Sequence, residues 1–222
     1  MAKTAIVPDQ DALKRVGATV RRHLDAHPNA QKLPTDKAEV YAISYFLTAL
    51  ECGRLNSMID VIAQPSELYD GTHQDGFRTS YSGNLDPHDA LMKDLSTRID
   101  TALGLPAAYG EAIQGQRYYV GQQFKPHNDY FHTDQEYWKQ ERGRGGQRSW
   151  TAMAFLNKVQ QGGATEFPEL DLKIAPQPGV LLVWNNADVE GAPNPDTLHA
   201  GTPVEAGVKY VLTKWYRTRT WK

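Results

Sequence analysis

Among the tripeptides of this 222-residue chain that set an imidazole and a carboxylate two positions apart, two stand close together, His127-Asn128-Asp129 and His132-Thr133-Asp134. With seven histidines in the chain, that spacing arises readily by chance, so context has to choose between the two. The first follows the strand-like run RYYVGQQFKP directly. Alternate side chains of an extended segment point the same way, so His127 and Asp129 would converge on one point. The second lies further into a polar loop, where a histidine is more often a surface residue. A third donor is needed, and His199 is the candidate, in DTLHAGTPVEAGVKYVLTKWYR between two expected strands. Read alone, it serves equally well as a satisfied loop or core histidine. Two imidazoles and one carboxylate suit a non-heme ferrous ion held on one face with three positions open. Three protein ligands rather than four imply catalysis rather than structure. The single cysteine, Cys52, leaves no multi-thiolate zinc site and no intrachain disulfide, and its neighbours place it in a buried helix.

The elements that must position these residues fall into two halves. Leu13, Val16, Val20 and Leu24 recur at helical spacing from Asp9 to about Ala26, and Pro28 and Pro34 follow. Val40 to Phe46 reads as a strand. Thr48 with Glu51 forms a capping box for a second helix, whose buried face is Leu55, Met58, Ile59 and Ile62. Pro65 to Asn84 reads as loop with short strands. Asp86-Pro87 is expected to start a third helix, with the apolar stripe Met92, Leu95, Ile99 and Leu103 and an end at Gly104. After Pro106 the pattern turns to short β-type runs at Gln116 to Val120, Thr151 to Asn157, Gly179 to Trp184 and Val208 to Tyr216. Helices preceding strands predict an α+β domain, with the helices on one side of an antiparallel sandwich or barrel. The stretch from Phe131 to Gln147 is long for a connection and reads as a mobile lid or an exposed insertion.

Size and composition fit one compact domain, 40% hydrophobic. A formal charge of −2 and a pI near 6.4 give no global attraction to nucleic acid or an anionic membrane. The N-terminal MAKTAIVPDQD lacks a secretory core and no run is long enough to span a bilayer, so the expectation is a soluble, cytoplasmic protein. Oligomeric state does not follow from the sequence.

From Gln116 to the C-terminus the chain resembles the prolyl 4-hydroxylase branch of the iron(II)/2-oxoglutarate oxygenases. Tyr118, His127, Asp129, His199 and, ten residues later, Lys209 stand at that family's spacing. GQRSWTAMAFLNKVQQGGATEFPEL and PQPGVLLVWNN also read like the family, and FLTALECGRL and GFRTSYSG extend a weaker similarity over most of the chain. The resemblance implies a double-stranded β-helix, a cupin-like jelly-roll barrel with supporting N-terminal helices. As one domain over 1–222, it would have mainly helical support over 1–110 and the β-helix core over 111–222. It also implies Fe(II) on His127, Asp129 and His199, with 2-oxoglutarate and dioxygen as co-substrates and ascorbate as an optional addition.

In the family, the distal carboxylate of 2-oxoglutarate runs deep into the barrel. Lys209, within VKYVLTKWY, meets the need for a cationic partner there, the alternative being a lysine on an exposed strand face. Tyr118 would add a hydroxyl, with Tyr119 a substitute of opposite direction. Thr213 either faces the same pocket or simply packs. The implied reaction is hydroxylation of an unactivated C–H bond with release of succinate and carbon dioxide, needing no side chain beyond the iron ligands as acid or base. Arg148 and Trp215 match positions that line the family's peptide site. Phe124 stands where relatives often carry a tyrosine, and Arg217 where they carry a histidine. A proline in a peptide or protein segment is therefore the first expected substrate. A free amino acid or other small molecule comes second, with Arg217 as half of a charged clamp. A redox-neutral metal-binding barrel and a catalytically silent binding module are the readings outside this class.

Overall fold

A computed structural model describes residues 8–67 and 76–222. The part of the expected Pro65 to Asn84 loop at 68–75 lies outside the described residues. In chain order the elements are α1 Gln10–Ala26, β1 Ala30–Lys32, β2 Val40–Ile43, α2 Ala49–Ile62, β3 Gln64–Pro65, β4 Tyr81–Asn84, α3 Ala90–Leu103, β5 Gln114–Tyr118, β6 Phe124–His127, α4 Trp138–Gly143 and β7 Arg148–Phe155. There follow β8 Gln161–Gly162, β9 Thr165–Phe167, β10 Leu172–Ile174, β11 Leu181–Asn185, β12 His199–Gly201, β13 Val204–Ala206 and β14 Lys209–Arg217. Eight strands form one antiparallel sheet, in the order β1-β2-β11-β7-β14-β5-β4-β3, and four form a second, β10-β9-β12-β6. This is the expected helix-backed double-stranded β-helix. The first half of the chain is not purely helical support, because β1 to β4 complete both edges of the large sheet.

Two-residue periodicity splits the large sheet into two faces. Leu181 and Val183 of β11, Ala152 and Ala154 of β7, and Leu212 and Tyr216 of β14 pack with Val16, Val20, Leu55, Ile59, Leu95 and Ile99 of the helices. Their neighbours Leu182, Trp184, Met153, Phe155 and Val211 point the other way and pack with Phe167 of the small sheet. The same alternation along β14 sends Lys209, Thr213 and Trp215 toward the small sheet and Lys214 and Tyr216 toward the helices. There Lys214 and Tyr216 donate to the buried Asp100 at 2.5 and 2.6 Å.

Helix α2 starts as expected: the Thr48 hydroxyl accepts from the Glu51 N–H at 3.2 Å, and Glu51 accepts from the Thr48 N–H at 2.7 Å. Thr48→Ala removes one of these bonds and is expected to cost about 1 kcal/mol in urea unfolding, with the fold retained. Helix α3 corrects its expected start. Its cap is Asp89, which accepts from the N–H groups of Leu91 and Met92, while Asp86 instead closes the preceding turn on the His88 N–H. Both carboxylates satisfy the residue preference for a cap, and reach to the free N–H groups decides between them. Gly104 ends the helix in the left-handed region, as expected.

The 131–147 stretch is not an exposed insertion. It contains α4, buries Phe131, Trp138, Glu141 and Gln147, and is tied down at both ends. The Gln147 carboxamide exchanges two hydrogen bonds with the Phe131 backbone, and Arg217 pairs with Glu141 and donates to the Gly146 carbonyl at 2.7 Å.

Candidate active site

Strand pairing brings the two candidate imidazoles together. His199 of β12 is the direct cross-strand partner of His127 in β6, and their ring centroids are 4.3 Å apart. Asp129 follows just past the end of β6, with its carboxylate oxygens 3.8 Å from His127 Nε2 and 3.7 Å from His199 Nε2. One donor atom from each of the three residues lies within 4.8 Å of the others. Each imidazole donates through Nδ1 to a backbone carbonyl at 2.9 Å, His127 to Lys125 and His199 to Thr197. That bond fixes the tautomer and leaves a lone pair on Nε2 facing the shared point. Burial, reinforced by His199, pushes the His127 imidazole down to about 3, so it is neutral and ready to ligate at neutral pH. Asp129 is oriented in turn, accepting from the Thr151 hydroxyl at 2.7 Å, and the Asn186 amide donates to Thr151 at 3.0 Å. Phe124 stacks on His127 with centroids 3.6 Å apart, and Trp184 and Phe167 flank His199. His132 is exposed, against Tyr130, and is not part of the cluster.

Behind the cluster is a narrow chamber of about 40 Å3, lined among others by Tyr118, Thr165, Lys209 and Thr213. Lys209 and Tyr118 are cross-strand partners of β14 and β5. The lysine is 2% exposed, and among the described residues its ammonium has no hydrogen-bond or ion-pair partner, only the ring faces of Tyr118 and Phe155. Burial pushes it down to about 7. The Tyr118 hydroxyl donates to Gln116, whose amide donates to Thr213 at 3.2 Å. The Thr165 hydroxyl is buried without a partner. An ammonium and an orphaned hydroxyl form a donor set suited to a carboxylate. The chamber alone has room for a few waters, and through the residues of the cluster it is continuous with the cavity in front of them. Tyr119 faces outward against Arg117, which removes it as the alternative to Tyr118.

In front of the cluster opens a cavity of about 600 Å3, which shares Phe124, His127, Asp129 and Trp215 with the chamber. Arg148 lies over Trp215 at 4.3 Å and over Phe131 at 4.9 Å, and grips Glu111 through two hydrogen bonds of 2.7 and 2.8 Å. Arg217 does not reach the cavity, contrary to its expected role in substrate binding. Buried to 1% exposure, its guanidinium pairs with Glu111 at 2.5 Å and with Glu141. Buried outside the cavity, with each of its three nitrogens already donating to a carboxylate or a carbonyl, the guanidinium is not placed to be half of a substrate clamp. Burial raises the Glu111 carboxyl, but Arg148 and Arg217 outweigh it and hold the group below its usual range.

Several site residues carry no recognisable signal in the sequence. Thr151 and Asn186 act through bonds spanning 22 and 35 residues; they and Thr165 stand in stretches read only as family-like text, and Glu111 stands in none. Arg78 lies in GFRTSYSG, read only as family-like text. It lines the cavity over Phe124, donates to Ser80 and Gln114, and has no carboxylate partner among the described residues.

The chain resembles known proteins in both sequence and fold. Residues 113–217 match the 2OG-Fe(II) oxygenase superfamily. Prolyl 4-hydroxylase 5 of Arabidopsis thaliana is 31% identical over 201 residues, covering 80% of this chain and 67% of its own. Prolyl 4-hydroxylase 2 of the same plant is 29% identical over 215 residues, covering 85% of this chain and 70% of its own. Among solved structures, the viral collagen prolyl hydroxylase of Paramecium Bursaria Chlorella virus-1, in its 2OG complex, superposes with a TM-score of 0.62 at 25% identity, over 80% of this chain and 95% of its own. A prolyl hydroxylase of Trichoplax adhaerens in complex with a hypoxia inducible factor peptide fragment shares the fold, with a TM-score of 0.63 at 18% identity over 95% of this chain and 96% of its own. By sequence span and by fold, the chain belongs to the prolyl hydroxylase-like enzymes of the 2OG-Fe(II) oxygenase superfamily, iron- and 2-oxoglutarate-dependent hydroxylases.

Proposed function

We propose that this enzyme hydroxylates a proline within a peptide or protein segment, with iron(II) on His127, Asp129 and His199 and 2-oxoglutarate anchored by Lys209. The bound iron and co-substrate supply oxidative decarboxylation, in which one dioxygen and one 2-oxoglutarate give succinate, carbon dioxide and one hydroxyl on the substrate. The observation that carries the reading is the unpaired ammonium of Lys209 behind the cluster. A cation buried without a partner is costly, and an incoming carboxylate removes that cost. Tyr118 and Thr213 shape the same chamber, and the Thr165 hydroxyl is free to donate to that carboxylate.

The peptide assignment rests on the front cavity. Its aromatic walls, Trp215, Phe124 and Phe131, suit a pyrrolidine ring. Among the described residues, the Trp215 indole N–H and the Asn128 amide N–H are buried without partners, and Arg78 beside them has no carboxylate. Of the carboxylates lining the wall, Asp129 belongs to the cluster and Glu111 is engaged by two arginines, while Glu67 is exposed. A donor-rich cavity matches a chain that offers carbonyl oxygens and few N–H groups, as a proline-containing segment does. It is a weaker match for a free amino acid, whose ammonium would have the solvent-exposed Glu67 as its carboxylate among the described residues. The hydroxylases named above as relatives support the same choice.

The test compares succinate release, and a product 16 Da heavier, for proline-rich peptides and for free proline. Peptide-driven release is expected. Stimulation by the free amino acid alone would overturn the peptide reading, and no 2-oxoglutarate turnover at all would favour a redox-neutral barrel or a silent binding module. A further expected result concerns the support of Asp129: Thr151→Val should weaken iron binding about tenfold in a metal titration with the fold intact, since residues that orient a ligand commonly tune affinity by 10- to 100-fold.

A further inference from the structure

We propose that the substrate path continues from the front cavity over Trp221 into a second depression, which holds the residues of a proline-rich substrate chain that flank the target. The inference rests on the peptide reading above. The depression, about 550 Å3, borders the front cavity and shares Glu111, Ala112 and Trp221 with it. A polyproline-type chain advances about 3 Å per residue, so residues three or four places from one seated at the metal cluster lie about 10 Å away. A substrate chain that runs beyond the cavity must continue over a surface that adjoins it.

Trp221 stands at that crossing. Its side chain is 36% exposed, and it lies beyond residue 217, where the superfamily match ends. The backbone that carries it is fixed: the Trp221 N–H donates to the Ala108 carbonyl at 2.7 Å and the Lys222 N–H to the Arg144 carbonyl at 3.2 Å. A held, exposed indole is the surface on which proline rings of extended chains pack in aromatic-lined grooves. Beyond it the depression offers exposed Pro87 and Ala107. Its charged groups are largely neutralised, Lys214 by Asp100 and Glu111 by Arg148 and Arg217. Among the described residues at its rim, only Lys93 is a charge without a partner. An apolar floor with a single cation fits a neutral or acidic proline-rich segment and disfavours a basic one.

The experiment uses the iron- and 2-oxoglutarate-loaded enzyme with two peptides sharing the same target proline, one of three residues and one of about fifteen. For the wild type, kcat/KM should be higher for the long peptide. In Trp221→Ala the long-to-short ratio of kcat/KM should fall about three- to tenfold, mainly through KM, and Trp221→Phe should keep most of it. Lys93→Glu, a surface change that does not depend on the C-terminal segment being intact, should lower the ratio for a long peptide with acidic flanks and not for one with basic flanks. Equal loss for both lengths in Trp221→Ala, or an unchanged ratio in both variants, would overturn the proposal while leaving the peptide reading in place. Absence of turnover with either peptide would overturn both.

Discussion

Replacing His127 or Asp129 by alanine is expected to abolish iron-dependent turnover of 2-oxoglutarate, while His132→Ala retains near wild-type activity. The three-residue cluster would supply three protein ligands and leave the other positions open, so removing one would strip a labile ferrous ion of a third of its protein anchor. Neither variant exposes a new charge in the core, since His127 is neutral at neutral pH. Each should therefore fold, which circular dichroism checks, and iron content after desalting should fall together with succinate formation. The exposed His132, at the rim of the front cavity beside Tyr130 and hydrogen-bonded through its backbone to Tyr137, lies outside the three-residue cluster and has no such role. Loss of activity in His132→Ala with activity kept in His127→Ala would overturn the assignment.

How far the site is legible in the sequence depends on whether its contacts are local. His127 and Asp129 are legible because a strand sets alternate residues on one side, and that property belongs to the segment itself. His199 is not legible from residues alone: what brings it to His127 is the cross-strand register of β12 on β6, which no local pattern encodes, and only the family resemblance singles it out. The helices were readable from their apolar stripes, and the capping box at Thr48 and Glu51 from its spacing. The start of α3 was not, because two aspartates three residues apart both suit a cap. Arg217 shows the limit most clearly. Its type suggests a ligand clamp, yet its partners Glu111 and Glu141 are 106 and 76 residues away. The same contacts hold the 131–147 stretch against the barrel, so the misplaced arginine and the failure of the exposed-insertion alternative for the loop have one physical source: a buried ion-pair network assembled by the tertiary fold.

Lys209→Ala should raise the 2-oxoglutarate requirement by about two orders of magnitude while iron binding persists. Deleting one partner of a buried charge-assisted pair commonly costs about 3 kcal/mol, which is that factor in a dissociation constant. The wild type carries a second signature of the same contact. With no carboxylate present, burial holds the Lys209 ammonium at about 7, whereas a bound carboxylate favours the charged form. Well below pH 7 the lysine is charged before and after binding, and no proton is exchanged. Above about pH 7 the ligand-free protein has lost that proton and the complex must take it back, so affinity should weaken as pH rises. Calorimetry of 2-oxoglutarate binding in two buffers of different ionisation enthalpy, with a redox-inert divalent metal in the site, should register proton uptake at pH 8 and little at pH 6. Lys209→Met, uncharged and of similar length, should lose both the affinity and the uptake, which separates loss of charge from loss of volume. Unchanged affinity in Lys209→Ala, or equal uptake at pH 8 in Lys209→Met, would mean that another cation holds the carboxylate, and Arg78, the cavity-lining guanidinium without a carboxylate partner among the described residues, would be the next to replace.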